Sequence, residues 1–260
     1  MAKLNQCRVC SAKAAYLMSG KLIDASVDYF ECAECSYVQT EDPTWLDSAY
    51  SEAINLSDTG ILARNQANVG VTLATLYLLN CMQGRVVDCA GGYGILVRML
   101  RDIGVDAFWS DRYCENLLAK GFEYAGEKSD LVTSFESFEH FVSPVDELDK
   151  MLEIAPNILI STEVIAATAP KQSDWWYYGV EHGQHIGFFR VKTLQTLAVN
   201  RGKYLLSDGR SYHLFTDKKV SYKAWRIARV IARKFPGLIS RKLVSKTLSD
   251  HEKMTVMKKS

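Results

Sequence analysis

No stretch of this 260-residue sequence approaches the roughly 18 uninterrupted apolar residues of a membrane span, and its opening, MAKLNQCRVC, has no secretory-type apolar run. A cytoplasmic protein is therefore expected. Internal repeats and low-complexity linkers are missing as well, which sets aside solenoid and disordered architectures. Histidine is scarce at five residues, and net charge is nearly absent at +1. With 48% hydrophobic and 23% charged residues, the length suits one sizeable α/β domain plus a small appendage, but not two full domains.

The near-zero charge conceals an asymmetry. Residues 217–260 carry 13 Lys/Arg against 3 Asp/Glu, and the rest of the chain carries 18 against 27. Within that tail, Val220, Ala224, Ile227, Ala228, Ile231 and Phe235 share one helical face edged by Lys223, Arg226, Arg229, Arg233 and Lys234. Pro236 then breaks the run and a second basic helix is expected. Three placements are open for it. It can dock on the domain's own acidic surface or in an oligomer, lie as a peripheral element on an anionic membrane, or bind nucleic acid. No base-reading motif accompanies the last.

Cysteines divide in the same uneven way. Cys81, Cys89 and Cys114 are scattered through apolar sequence and read as small core residues in a reducing compartment. Cys7, Cys10, Cys32 and Cys35 instead form two Cys-x2-Cys pairs 21 residues apart. Each pair can wrap one side of a tetrahedral ion, and four thiolates suit Zn²⁺. So few apolar residues in a 40-residue unit need such a staple, and four thiolates leave no open position. The zinc is expected to be structural, within a unit spanning residues 1–42.

From PTWLDSAYSEAINLSDTG onwards the pattern is helical, with Asp58 and Thr59 offering N-cap chemistry. GRVVDCAGGYGILVRMLRDIG then reads as strand, glycine turn and amphipathic helix, and VDAFWSDRY, DLVTSFESF and NILISTEVI read as further strands separated by helices. This alternation predicts a Rossmann-like, doubly wound α/β fold with a mostly parallel sheet over residues 43–216, followed by a basic helical tail over 217–260. In such a sheet the first strand-to-helix turn holds the ligand. Gly91, Gly92 and Gly94 permit close backbone approach there, with Ala90 standing where a first glycine is common. Asp111, 17 residues after Gly94, can accept from both ribose hydroxyls, so loop and acid together indicate an adenosine-containing cofactor. Asp88 directly before the glycines would repel a pyrophosphate yet suit a sulfonium or ammonium centre.

VVDCAGGYG, FWSD and DLVTSFESFEHF together resemble the first, second and fourth motifs of class I S-adenosylmethionine-dependent methyltransferases. With the four-cysteine unit, the chain resembles zinc-ribbon-bearing methyltransferases that include nucleotide-sugar C-methyltransferases, from about Cys7 to about Ser207. That resemblance implies Asp88, Ala90, Gly91, Gly92 and Gly94 at the methionine end of S-adenosyl-L-methionine, Asp111 at its ribose, and Glu136 opening onto the same crevice. Glu139 and His140 match a pair common in the family, with a structural role or substrate contact both open. Tyr50 and Arg64 fall in helices that cover the cofactor pocket in the family. Arg64 would pair with a carboxylate or phosphate, or else form a surface ion pair.

YYGVEHGQHIGFF places Glu181, His182 and His185 within five positions. Metal binding, packing, and catalysis or acceptor contact all remain open for them. The related sugar methyltransferases carry a Glu-His pair before a short aromatic run, and its histidine is read as a base. Glu181-His182 matches the pair, whereas the spacing to the aromatics selects His185, the favoured base, with His182 its neighbour. Tyr177 and Tyr178 stand as acceptor-binding aromatics or packing residues. The resulting expectation is methyl transfer to a sugar, nucleotide-sugar or other glycan or small-molecule acceptor, at carbon or oxygen. The rivals are an RNA- or protein-directed methyltransferase and a non-catalytic scaffold that retains the cofactor fold.

Overall fold

Short runs of buried apolar residues, such as Val86–Val87 and Ile158–Ile160, make the central strands, and segments with one apolar face, Ile95–Asp102 and Tyr222–Lys234 most clearly, make helices. The computed structural model describes residues 5–23, 25–49 and 58–257. In chain order these are β1 (Asn5–Gln6), β2 (Lys13–Leu22), β3 (Ala25–Cys32), β4 (Val38–Thr40), α1 (Leu46–Ala49), α2 (Ile61–Leu78), β5 (Arg85–Cys89), α3 (Ile95–Asp102), β6 (Asp106–Ser110), β7 (Leu131–Phe135), α4 (Pro144–Ile154) and β8 (Ile158–Ser161). There follow β9 (Gly187–Phe188), α5 (Val191–Val199), β10 (Tyr204–Ser207), β11 (Tyr212–Thr216), α6 (Tyr222–Lys234), α7 (Pro236–Ser240) and α8 (Thr247–Met257).

The fold is α/β, with a mostly parallel sheet in the strand order β10-β11-β8-β7-β5-β6. Strand β5 runs parallel to both β6 and β7, in a register that sets Asp88 opposite Trp109 and Thr133. β10 and β11 form the antiparallel hairpin. A second, antiparallel sheet has the order β1-β2-β3-β4-β9. Its fifth strand comes from Gly187–Phe188, far along the chain from the strands that surround the four cysteines.

The chain divides into two compact units. The first comprises Met1–Asn55, Glu136–Lys150 and Ile160–Asp217. Its core joins Leu22, Val27, Tyr29 and Val38 of the antiparallel sheet to Ile165, Tyr177, Tyr178 and Phe188. The second comprises Leu56–Phe135, Met151–Leu159 and Lys218–Ser260. Here α2 starts at an N-cap Gly60 without a side-chain cap, so neither Asp58 nor Thr59 performs that task; Asp58 pairs with Arg64 one turn into the helix. The basic tail belongs to this second unit. Trp225, Ala228 and Ala232 of α6 are buried, and Trp225 Nε1 donates to Thr75 Oγ1 of α2 at 3.2 Å. Within α8, Asp250 accepts from Arg98 at 2.7 Å and from Arg101 at 2.7 and 2.8 Å. The tail thus docks through an apolar seam, through Asp250, and through a few of its cations, among them Lys246 at 3.8 Å from Asp106.

Candidate functional site

In the second unit, the end of β5 delivers Asp88 into a buried position where Thr133 Oγ1 donates to Oδ1 at 2.7 Å. Burial raises the Asp88 pKa to about 7, against the pull of the Thr133 hydrogen bond. A Cβ at Gly91 would come within 2.9 Å of Trp109 Cδ1 and 3.0 Å of Asp88 Oδ2, so only glycine fits beside that carboxylate. Ala90 holds φ 56°, a left-handed conformation costly for a residue with a Cβ. Gly94 is the N-cap of α3. Asp111 binds the loop itself: Oδ2 accepts from Gly92 N–H at 2.9 Å, and Oδ1 from Tyr113 and Cys114 N–H at 2.7 and 2.9 Å. Trp109 Nε1 closes the loop from the other side, donating to Gly92 O at 2.7 Å.

In the first unit, three imidazoles gather. The rings of His140 and His185 lie edge to face at 4.8 Å, as do those of His182 and His185. The left-handed Gly179 (φ 61°) makes this possible, because a Cβ there would meet His182 Cε1 at 2.4 Å. His185 Nδ1 lies 2.6 Å from the Tyr177 carbonyl oxygen, which can only accept. Nδ1 therefore carries the proton and Nε2 keeps its lone pair. His182 has the opposite tautomer when neutral, since Gln184 N–H donates to its Nδ1 at 3.1 Å. Burial lowers both His182 and His185 to about 4 and takes His140 well below its usual range, helped by the neighbouring imidazoles.

The buried acid beside these histidines is Glu139; Glu181 is exposed, and its charge acts on His182. Glu139 is 0% exposed, and neither carboxylate oxygen has a hydrogen-bond partner among the described residues. Burial raises its pKa to about 7. Donor atoms of Glu139, His140 and His185 all lie within 4.8 Å of one another. Beside them, Tyr177 Oη accepts from Glu163 N–H at 3.1 Å and bonds the Thr162 hydroxyl at 3.2 Å.

The four N-terminal cysteines are free and their sulfurs lie within 4.8 Å of one another, with Cys7–Cys35 at 3.5 Å and Cys10–Cys32 at 3.4 Å. The two pairs are built alike. In each, a serine with φ 61° directly follows the second cysteine, and its N–H donates to the carbonyl of the first at 2.9 Å. Val9 N–H points at Cys7 Sγ and Cys35 N–H at Cys32 Sγ. Free thiols with N–H donors aimed at sulfur suit a closed Zn²⁺ site.

The other sequence-derived residues fall in varied places. Glu136, directly after β7, has φ 49° and accepts from Ser161 Oγ at 2.5 Å. Arg64 makes the surface ion pair with Asp58. Tyr178 is a core residue whose hydroxyl donates to Pro170 O at 2.9 Å, and Tyr177 is equally buried. The exposed aromatic of that segment is Trp176, at 76%. Tyr50 lies outside the described residues. Sequence reasoning did not single out Thr162, Glu163 or Trp176, and it left Glu139 undecided. Their positions at the end of β8, in the aromatic run and after β7 were the available signal.

A family model described as a methyltransferase domain matches residues 63–207. No curated protein matches the chain in sequence. Among solved structures the chain is similar to TnmH, at 16% identity and a TM-score of 0.46, covering 68% of this chain and 62% of that one. It is also similar to the magnesium protoporphyrin IX methyltransferase from Synechocystis PCC 6803 with bound SAH, at 15% identity and 0.42, covering 66% and 93%. A third similarity is to OxaC in complex with SAH and oxaline, at 14% identity and 0.42, covering 59% and 47%.

Proposed function

This chain belongs to the methyltransferase-domain family, and on that premise we propose that it methylates a small-molecule acceptor, a sugar or nucleotide-linked sugar, from S-adenosyl-L-methionine. The observation that carries the cofactor assignment is buried Asp88 beside a position where only glycine fits. A sulfonium centre near that carboxylate would restore its charged form and offset its desolvation. Asp111 holds Gly92 and the following turn, and its carboxylate is the acceptor suited to ribose hydroxyls. The cofactor supplies an electrophilic methyl group, so the chain's tasks are alignment and proton removal. His185 Nε2 suits the second task. Its partner nitrogen is fixed on Tyr177 O, and burial keeps the ring neutral at physiological pH. It would take the α-proton of a keto-sugar for C-methylation or a hydroxyl proton for O-methylation. The zinc held by Cys7, Cys10, Cys32 and Cys35 is structural in this reading.

One observation favours a second reading of the same cluster. The buried Glu139 carboxylate accepts no hydrogen bond among the described residues and lies 3.9 Å from His140 Nε2; with His140 and His185 it offers a donor set for a divalent cation, which would acidify an acceptor oxygen in place of a base. Turnover of nucleotide sugars with labelled cofactor tests both. With His185 as base, His185→Ala loses about 10²–10⁴-fold in turnover with unchanged cofactor affinity, while His182→Ala retains most activity. Equal turnover in all three proteins removes the base. Two metal equivalents per chain, falling to one in Glu139→Gln, favours the cation. Failure of zinc-loaded protein to bind S-adenosylmethionine or S-adenosylhomocysteine in calorimetry removes methyl transfer altogether.

A further inference from the structure

We propose that the outer face of α6 and α7 is a peripheral anchor for an anionic phospholipid surface. The inner face of α6 is already occupied, with Trp225, Ala228 and Ala232 buried and Trp225 bonded to α2. Large apolar side chains nevertheless remain outside: Ile227 is 59% exposed, Val230 47%, Phe235 60% and Leu238 64%. Ile227, Val230 and Lys234 stand at i, i+3 and i+7, one stripe of the helix turned away from Ala228 and Ala232. Exposed Lys223, Arg226 and Arg233 lie on and beside that stripe, and exposed Arg241 and Lys242 follow α7. Residues 218–249 contain 10 Lys/Arg and no Asp or Glu.

Charge and apolarity together select the occupant. A polyanionic nucleic acid would meet the cations but has no use for four protruding aliphatic and aromatic side chains. A second copy paired through a two-fold axis would cover those side chains, but would press one acid-free basic face against another. An anionic bilayer surface satisfies both, with the apolar side chains entering the headgroup boundary and the cations remaining at lipid phosphates and carboxylates. Among the described residues no helix is long and apolar enough to cross a membrane, so the contact is with one surface.

Flotation of the full, zinc-loaded chain with phosphatidylcholine vesicles, with and without phosphatidylserine, tests this, alongside light scattering and titration with a single-stranded RNA oligonucleotide. The wild type should float only with phosphatidylserine vesicles, and added salt should release it. Lys223→Ala/Lys234→Ala should weaken this binding about tenfold or more, and Ile227→Ser/Phe235→Ser by at least as much, with unchanged melting temperature because all four side chains are exposed. Absence of flotation overturns the proposal, as does equal flotation with neutral vesicles. Dimerisation abolished by Ile227→Ser/Phe235→Ser without vesicle binding assigns the face to a second copy. RNA binding that survives loss of the apolar side chains, again without vesicle binding, assigns it to nucleic acid.

Discussion

The glycine loop after β5 and the histidine cluster around Glu139 solve different physical problems. The loop is largely backbone: the Asp111 carboxylate and the Trp109 indole N–H grip Gly92, and its ionisable chemistry lies in two carboxylates, Asp88 on β5 and Asp111 just after β6. The cluster is made of side chains from separate segments, His140 after β7 and Tyr177, His182 and His185 before β9, and burial sets its properties. The loop should therefore respond mainly in ligand affinity. The cluster should respond in pH dependence and in the stability of its own unit.

The largest expected effect tests whether the first unit depends on the proposed zinc. Stripping zinc with a chelator, or Cys32→Ser, removes a linkage worth roughly 10 kcal/mol in structural zinc sites. The near-UV circular dichroism of the Tyr29, Tyr177 and Tyr178 cluster should collapse; an unchanged signal would show that the antiparallel sheet stands without metal.

Next, if the proposed function holds, Asp111→Ala should weaken S-adenosylmethionine binding about a hundredfold, since it would remove the proposed ribose acceptor together with the three N–H contacts that shape the loop. Calorimetry reads this directly. An equal loss in His185→Ala would erase the distinction between the two regions.

The pH response sharpens the comparison further. His182 and His185 are lowered from 6.5 to about 4, so in that interval the unfolded chain binds more protons than the folded one. Their contribution is fully present above about pH 6.5 and is lost as pH falls towards 4. Glu139 is raised from 4.5 to about 7 and acts in the opposite sense: its contribution is present below about 4.5 and lost as pH rises through 7. Glu139→Gln should thus raise the melting temperature by a few degrees at pH 8 and have little effect at pH 5. A fall at pH 8, accompanied by loss of bound metal, would favour the cation reading.

The smallest effect returns to the loop. Ala90→Gly relieves the left-handed alanine and should gain about 1 kcal/mol in denaturant unfolding, with cofactor affinity little changed. No gain would mean that the lost chain entropy of glycine cancels the relief.

Local pattern made the loop legible. A strand, three glycines and an acid at the end of the next strand are consecutive in sequence and consecutive in a parallel sheet. The cysteine pairs were legible for the same reason, although the Gly187–Phe188 strand that joins their sheet was not. The histidine segment was only half legible. Proximity in sequence singled out Glu181, whose charge does act on His182, but it could not show that the chain turn at Gly179 also sets His182 and His185 beside Glu139 and His140, more than 40 residues upstream. Tyr178 was ambiguous for a related reason, because aromaticity by itself does not say whether a ring faces solvent or Phe188.

The sequence by itself determined the α/β layering, the four-thiol set, the glycine loop and the basic tail, because periodicity, ligand spacing and turn chemistry act over a few residues. Only the tertiary structure decided which acid meets the histidines, which tautomers they hold, and which face of α6 is left uncovered. Those properties depend on burial and on partners brought together from distant parts of the chain, which no local pattern encodes.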